Sequence, residues 1–285
     1  METKQLGTTE QDLALAGELL RQGQLVAFPT ETVYGLGANA LNETAVAQIY
    51  AAKGRPGDNP LIVHVAEKAD IAPLVQEIPE KAKKLFDRFF PGPLTVILPK
   101  SDKIGKVVSG GLDTAAPSAN TSGLPSPTRA KYVQEDMNGK IAAIVDGGDC
   151  AYGVESTVIT LATPTPTLLR PGAVTKEMLE AEIGPIAVAP AVLEKMADGE
   201  IAASPGMKYK HYAPKAQVIL VNGDSAAYAA FVNSQPGCYA LCYEEDRVTV
   251  PKVPYGKATD DLSQARELFD ALRRLDELGA KKVYA

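Results

Sequence analysis

The chain has 285 residues, 45% apolar and 22% charged, which suits two globular domains rather than a single core. A formal net charge of −6 argues against a broad, sequence-blind nucleic-acid surface but leaves room for a small cationic pocket. No apolar run approaches the ~20 residues that span a bilayer, and the first residues carry no signal-peptide core, so the cytoplasm is the expected location.

Thr9 reads as the N-cap of a helix through residue 20 that Gly23 stops. A short buried strand over 25–29 follows, and then a polar, glycine-punctuated loop over 30–37. Asn42 is placed to cap a second helix whose apolar stripe is Ala45, Val46, Ile49 and Tyr50. A strand is expected over 61–66, a helix from Pro79 to about residue 90, and strands over 94–98, 141–145 and 157–161. This mixture predicts an α/β or α+β domain.

Composition changes near residue 185, so the expected division is a first domain over 1–185, a linker over 186–215 and a small α/β unit over 216–285. In that unit a strand over 217–221, a helix over 225–232 and a strand over 238–243 precede an amphipathic helix over 260–278. Residues 283–285 begin what reads as one more strand, so the unit is expected to be incomplete at that point. Cys150, Cys238 and Cys242 give an odd count with no Cys-x-x-Cys pair, so buried free thiols are expected. With only His64 and His211, a histidine-rich metal site is excluded.

The segment Lys53-Gly-Arg-Pro-Gly-Asp-Asn-Pro-Leu-Ile-Val-His64 can aim Lys53, Arg55, Asn59 and His64 at one small anion. A surface helix end would carry the same Lys-Gly-Arg, since glycine and cations are common there. The loop over 30–37 offers Thr30 and Thr32, which an extended chain would point the same way, or else a locally satisfied turn. Pro117-Ser-Ala-Asn-Thr-Ser-Gly-Leu-Pro-Ser-Pro-Thr128 concentrates hydroxyls on a proline-stiffened backbone, but it is not a Walker A loop. Ser156 stands where a strand begins, and Arg170 ends a short strand within Leu169-Arg-Pro-Gly172. No Ser-His-Asp or Cys-His arrangement is evident. The inventory of hydroxyls, amides and cations suits orientation and charge stabilisation in phosphate chemistry more than covalent catalysis.

In order, these segments are Phe28-Pro-Thr-Glu-Thr-Val-Tyr-Gly-Leu-Gly37, Lys53-Gly-Arg-Pro with Asn59-Pro-Leu61, Phe90-Pro-Gly-Pro-Leu-Thr95, Pro117-Ser-Ala-Asn120, Ser126-Pro-Thr128, Glu155-Ser-Thr-Val158 and Leu169-Arg-Pro-Gly172. Together they resemble the YrdC/YwlC family of threonylcarbamoyl-AMP synthases over roughly residues 10–185, which implies an α/β fold with a twisted open mixed sheet and flanking helices. Ser204-Pro-Gly-Met-Lys-Tyr-Lys-His-Tyr-Ala-Pro214 resembles the linker of its longer, two-domain branch, which carries a small Rossmann-like C-terminal domain. The resemblance implies a nucleotidyltransferase that joins L-threonine, bicarbonate and ATP into threonylcarbamoyl-AMP and pyrophosphate, with Mg²⁺ accompanying ATP. A tRNA threonylcarbamoyl transferase would use the product on the adenosine beside the anticodon, and direct tRNA contact is not required. The resemblance further implies Thr32, His64, Ala116 and Ser156 on the threonine side. It puts Arg55, Asn59, Thr114, Ser118, Ser126, Arg170, His211 and Tyr212 on the ATP side, with Lys53 and Arg55 acting on the reacting phosphate.

The chain departs from the family pattern after Gly110-Gly-Leu-Asp-Thr114, where the family continues into a strand and a helix before Pro-Ser-Ala-Asn. Here Ala115 follows directly, and an arginine that the family uses for the threonine carboxylate is absent with the segment. Removing a central strand would bare a large apolar surface, so the natural chain is expected to carry residues that this sequence omits; the alternative is a real deletion, with weak or no threonine activation. The rival readings are an RNA- or nucleotide-binding regulatory module on the same fold without synthase activity, and a different carbamoyl-transfer enzyme. An acidic net charge and the lack of a basic stripe count against the first, and the lack of zinc-finger cysteines against the second.

Overall fold

The computed structural model describes residues 2–54, 61–108, 122–193 and 213–285. In chain order the elements are β1 (Lys4–Leu6), α1 (Glu10–Arg21), β2 (Val26–Pro29), β3 (Tyr34–Gly37), α2 (Glu43–Lys53), a 3-10 turn (Lys68–Leu74), α3 (Glu80–Phe89), β4 (Leu94–Ile97), α4 (Ala130–Met137), β5 (Ala143–Val145), β6 (Thr157–Thr160), β7 (Thr167–Arg170), α5 (Lys176–Ile183), β8 (Ala187–Val188) and α6 (Pro190–Leu193). The C-terminal part adds β9 (Gln217–Ile219), α7 (Ser225–Asn233), β10 (Tyr239–Cys242), β11 (Lys252–Pro254), α8 (Asp261–Glu277) and β12 (Lys282–Tyr284).

The described strands form three four-stranded sheets, ordered β1-β5-β2-β3, β4-β6-β7-β8 and β11-β10-β12-β9. The first two are mixed, each with one antiparallel pair, β2 with β3 and β6 with β7. The third is parallel throughout, as expected of a Rossmann-like unit. Its inner strands are buried on both faces, with Ala240 and Val283 fully enclosed, so they read as apolar runs rather than alternations.

Local chemistry explains most of the boundaries. The hydroxyl of Thr9 accepts from the Asp12 N–H, and Asn42 accepts from the Ala45 N–H, each satisfying a donor that the first turn leaves open. Asp224 and Asp260 do the same for α7 and α8. Tyr34, Val46, Ile49, Val133, Met137 and Ile144 pack in one core between α2, α4 and the first sheet. Leu85, Leu94, Ile159 and Leu179 fill a second between α3, α5 and the second sheet. The three cysteines are free and buried, and burial pushes the Cys150 thiol up to about 12 and the Cys242 thiol up to about 11.

Three expectations are corrected. Residues 61–66 form no strand; Leu61 donates to the Val108 carbonyl, while Ile62, Val63 and Val65 line a cavity. The apolar pattern there reports burial against a cavity wall, not ladder pairing. Residues 34–37, read as part of a loop, are strand β3, with Gly37 opposite Val26. A Cβ on Gly37 would stand 2.5 Å from the Phe28 ring, so the glycine that weakens the strand signal is what lets the ring lie there. Thr30 and Thr32 meet across a tight turn rather than along an extended chain: their hydroxyls are 2.9 Å apart, and the Thr30 hydroxyl donates to the Val33 carbonyl at 2.6 Å.

The two ends of the chain pack together. Val33, beside Thr32, is buried in the cluster formed by Leu241, Val253, Phe269, Leu275 and Val283 of the C-terminal part. Arg273 on α8 pairs with Asp136 on α4, and the Tyr132 hydroxyl donates to Asp270 at 2.8 Å.

Candidate active site

A cavity of about 280 Å³ opens between β4, β6 and the extended segment 62–65. Its polar lining includes Thr32, His64, Thr95 and Ser156, against an apolar wall that contains Phe86, Phe90 and Val96. Thr32, His64 and Ser156, far apart in sequence, are thus brought to one space. The turn at 30–33 is held by its own hydroxyl bonds and by the Tyr152 and Gly153 amides, which donate to the Glu31 and Thr32 carbonyls. Ser156 immediately precedes β6, and its hydroxyl lies 2.8 Å from that of Thr95 on the adjacent, parallel β4. His64 is an exposed residue that lines the cavity, and desolvation by the surrounding protein lowers its pKa against the opposing charge of Glu31.

A second group is joined to the first through Ser156. Arg170, at the end of β7, donates to the Ser156 carbonyl at 3.0 Å and to its hydroxyl at 3.2 Å. The same guanidinium meets Glu155 at 2.5 Å, and Glu155 also accepts from the Ser126 hydroxyl at 2.8 Å. Ser126 is completely buried, and the Arg170 and Glu155 side chains are each only 12% exposed. Arg170 is therefore not a solvated surface cation. A charge-assisted chain, Ser126–Glu155–Arg170–Ser156–Thr95, links the segment over 125–128 to the cavity wall.

Lys53 closes α2, whose C-cap is Gly54 in the left-handed region. A helix does end at Lys53 and Gly54, but Lys53 is not a surface cation: it is only 2% exposed, and its carbonyl accepts from the Ser122 N–H. Arg55, Asn59, Thr114, Ala116, Ser118, His211 and Tyr212 lie outside the described residues. Among the described residues no three His, Cys, Asp or Glu side chains come together as a metal cage.

Against known families, the Sua5/YciO/YrdC model, described as telomere recombination, matches residues 18–116 and 113–172. The model of the threonylcarbamoyl-AMP synthase C-terminal domain matches residues 174–285. The chain belongs to the Sua5/YrdC family. A threonylcarbamoyl-AMP synthase of Pyrococcus abyssi is 45% identical over 309 residues, spanning 97% of this chain and 88% of that protein. One of Bacillus subtilis is 45% identical over 305 residues, spanning 96% and 87%. The structure of P. abyssi Sua5 complexed with L-threonine superposes with a TM-score of 0.89 at 42% identity, over all of this chain and 92% of the other.

The Sua5/YrdC match breaks at residues 113–116, where Thr114 passes directly to Ala115. An alignment 309 positions long against a chain of 285 also requires residues in the relative that this chain lacks.

Two members of the hydrogen-bond chain were not singled out from sequence. Glu155 stands beside Ser156 in a quoted motif, and an acid flanked by candidate hydroxyls was the available signal. Thr95 likewise closes a quoted motif, Phe90-Pro-Gly-Pro-Leu-Thr95, and its place at the end of that motif was the available signal.

Proposed function

We propose that this protein is an L-threonylcarbamoyladenylate synthase, joining L-threonine, bicarbonate and ATP into threonylcarbamoyl-AMP with release of pyrophosphate. The observation that carries the reading is the convergence of Thr32, His64 and Ser156 on one cavity, bonded through Arg170 and Glu155 to Ser126, in a chain of this family.

In this reading the amino acid occupies the cavity. The hydroxyls of Thr32 and Ser156 orient its polar groups, and the apolar wall takes its methyl group. A lowered pKa keeps His64 neutral at pH 7, so its ring can accept a hydrogen bond from the substrate rather than repel an ammonium. The threonine nitrogen attacks the carbon of bicarbonate, water leaves, and a carbamate forms. A carbamate oxygen then attacks the α-phosphorus of ATP, and the bond to pyrophosphate breaks. Ser126, Arg170 and Lys53, with Arg55, Asn59, Thr114, Ser118, His211 and Tyr212, serve the nucleotide side. Ala116 belongs with the threonine side. Lys53 and Arg55 offset charge on the reacting phosphate. The chemistry needs in-line positioning and charge neutralisation and no covalent enzyme intermediate. Mg²⁺ would accompany the substrate ATP and offset phosphate charge, with no step of the chemistry assigned to it. The product goes to a tRNA threonylcarbamoyl transferase, and the work is done in the cytoplasm. No described helix is long and apolar enough to cross a membrane.

The test is pyrophosphate release from ATP with threonine and bicarbonate supplied together and each withheld in turn. Release should require both. Release that ignores threonine would overturn the proposal.

A further inference from the structure

The segment that carries Ser126 is held from two sides. Pro125 and Pro127 fix φ on either side of Ser126 and bring no N–H of their own, so besides the Ser126 hydroxyl the segment is held through its carbonyls. The Tyr34 N–H donates to the Pro127 carbonyl at 2.8 Å, and the Cys150 N–H donates to the Thr128 carbonyl at 3.0 Å, both from the first part of the chain. The Pro125 carbonyl is held from the other part. Arg273 on α8 donates to it from Nε at 3.0 Å and from Nη2 at 2.6 Å. The rest of the fork grips Asp136, Nη1 to Oδ1 at 3.0 Å and Nη2 to Oδ2 at 2.8 Å. The guanidinium also lies over the Tyr132 ring, 5.2 Å from its centre.

Both charged side chains are almost fully buried, 6% and 5% exposed. Taking such a pair out of water costs about what its attraction returns, so its main contribution is geometry rather than stability. A planar fork that spans a carboxylate and a carbonyl sets one position for each. Nearby, α8 touches a second loop of the site. Gly153 has φ +69°, and a Cβ there would collide with the backbone of Arg266. That loop leads directly to Glu155 and Ser156.

We propose that Arg273 is a positioning residue for the nucleotide side of the site. Through the Pro125 carbonyl it fixes Ser126, and so the C-terminal unit sets the affinity of the site for ATP. This rests on the reading of Ser126 as a nucleotide-side residue.

The experiment compares the full-length wild type with R273K and D136N. Lysine keeps the charge but has three donors at a single atom, so it cannot reproduce the four bonds that the planar fork makes to Asp136 and the Pro125 carbonyl. Two readouts are taken: KM for ATP and for threonine in pyrophosphate release, and amide hydrogen exchange over 122–135. R273K should raise KM for ATP about tenfold, the scale of one well-placed hydrogen bond. KM for threonine should stay as it was, and exchange should quicken at 122–129. D136N, which leaves Arg273 its bonds to Pro125, should shift KM for ATP in the same direction by less, and it decides the matter alone if R273K does not fold. Unchanged exchange at 122–129 would overturn the proposal. So would equal changes for both substrates with protection lost across the whole chain, the signature of a merely structural role. A wild type whose pyrophosphate release ignores threonine refutes the synthase reading instead, while the exchange data still test Arg273.

Discussion

Arg170 meets Glu155 beside the cavity at 2.5 Å, and Arg273 meets Asp136 between the two ends of the chain at 2.8 Å. The first pair keeps 12% exposure on each side chain and spends its further donors on Ser156, whose hydroxyl faces the cavity. The second is more deeply sealed, and its further donors go to a backbone carbonyl. The same two residue types therefore serve different ends. A pair that keeps some exposure and bonds to a cavity-lining residue can respond to an anion that arrives, whereas a pair sealed between helices fixes where its neighbours stand.

Alanine substitutions should separate the two. Arg273→Ala leaves Asp136 charged and buried and should lower unfolding free energy by about 3–5 kcal/mol in urea denaturation. Arg170→Ala should lower it less, by about 1–3 kcal/mol, because water can reach Glu155, yet it should reduce threonine-dependent pyrophosphate release to background. Equal stability losses, or an active Arg170→Ala, would break the comparison. Val33→Ala sharpens it at the apolar end of the same interface. Removing two buried methyl groups should cost about 1–2 kcal/mol, and faster amide exchange should appear in β10 and β12, where Val33 packs, rather than in β2. Exchange changing only in β2 and β3 would show that Val33 does not tie the two parts together.

The smallest expected effect is in the pH profile of stability. Desolvation beside the cavity lowers the pKa of His64 from its usual 6.5, so the unfolded chain takes up a proton that the folded ring resists. Stability from this group is full above pH 6.5 and falls as the pH drops through the lowered value. In denaturation curves recorded between pH 7.5 and 5, His64→Gln should be less acid-sensitive than the wild type. Identical pH slopes would sink the assignment.

Much of the local structure was legible in the sequence because its causes are local. Thr9, Asn42 and Gly54 mark helix ends through bonds or backbone angles that close within a few residues. The motif residues Thr32, His64, Ser156 and Arg170 stood out as polar groups in glycine- or proline-punctuated segments. What misled was pattern without context. The apolar run at 61–66 faces a cavity instead of a sheet neighbour, and glycines in β3 hid a strand whose partner, β2, supplies Phe28 to fill the space.

The sequence by itself determined the α/β character, the family and the set of candidate residues, since these follow from periodicity and from ordered motifs. Only the tertiary structure decided which of them touch. Glu155 gains its meaning from Ser126 and Arg170, 29 and 15 positions away along the chain. Arg273 gains its meaning from Pro125, 148 positions away. In sequence Arg273 is one more polar residue on an amphipathic helix. Burial against α4 removes water as a partner, so its donors must find fixed acceptors, and that requirement ties the end of the chain to the site.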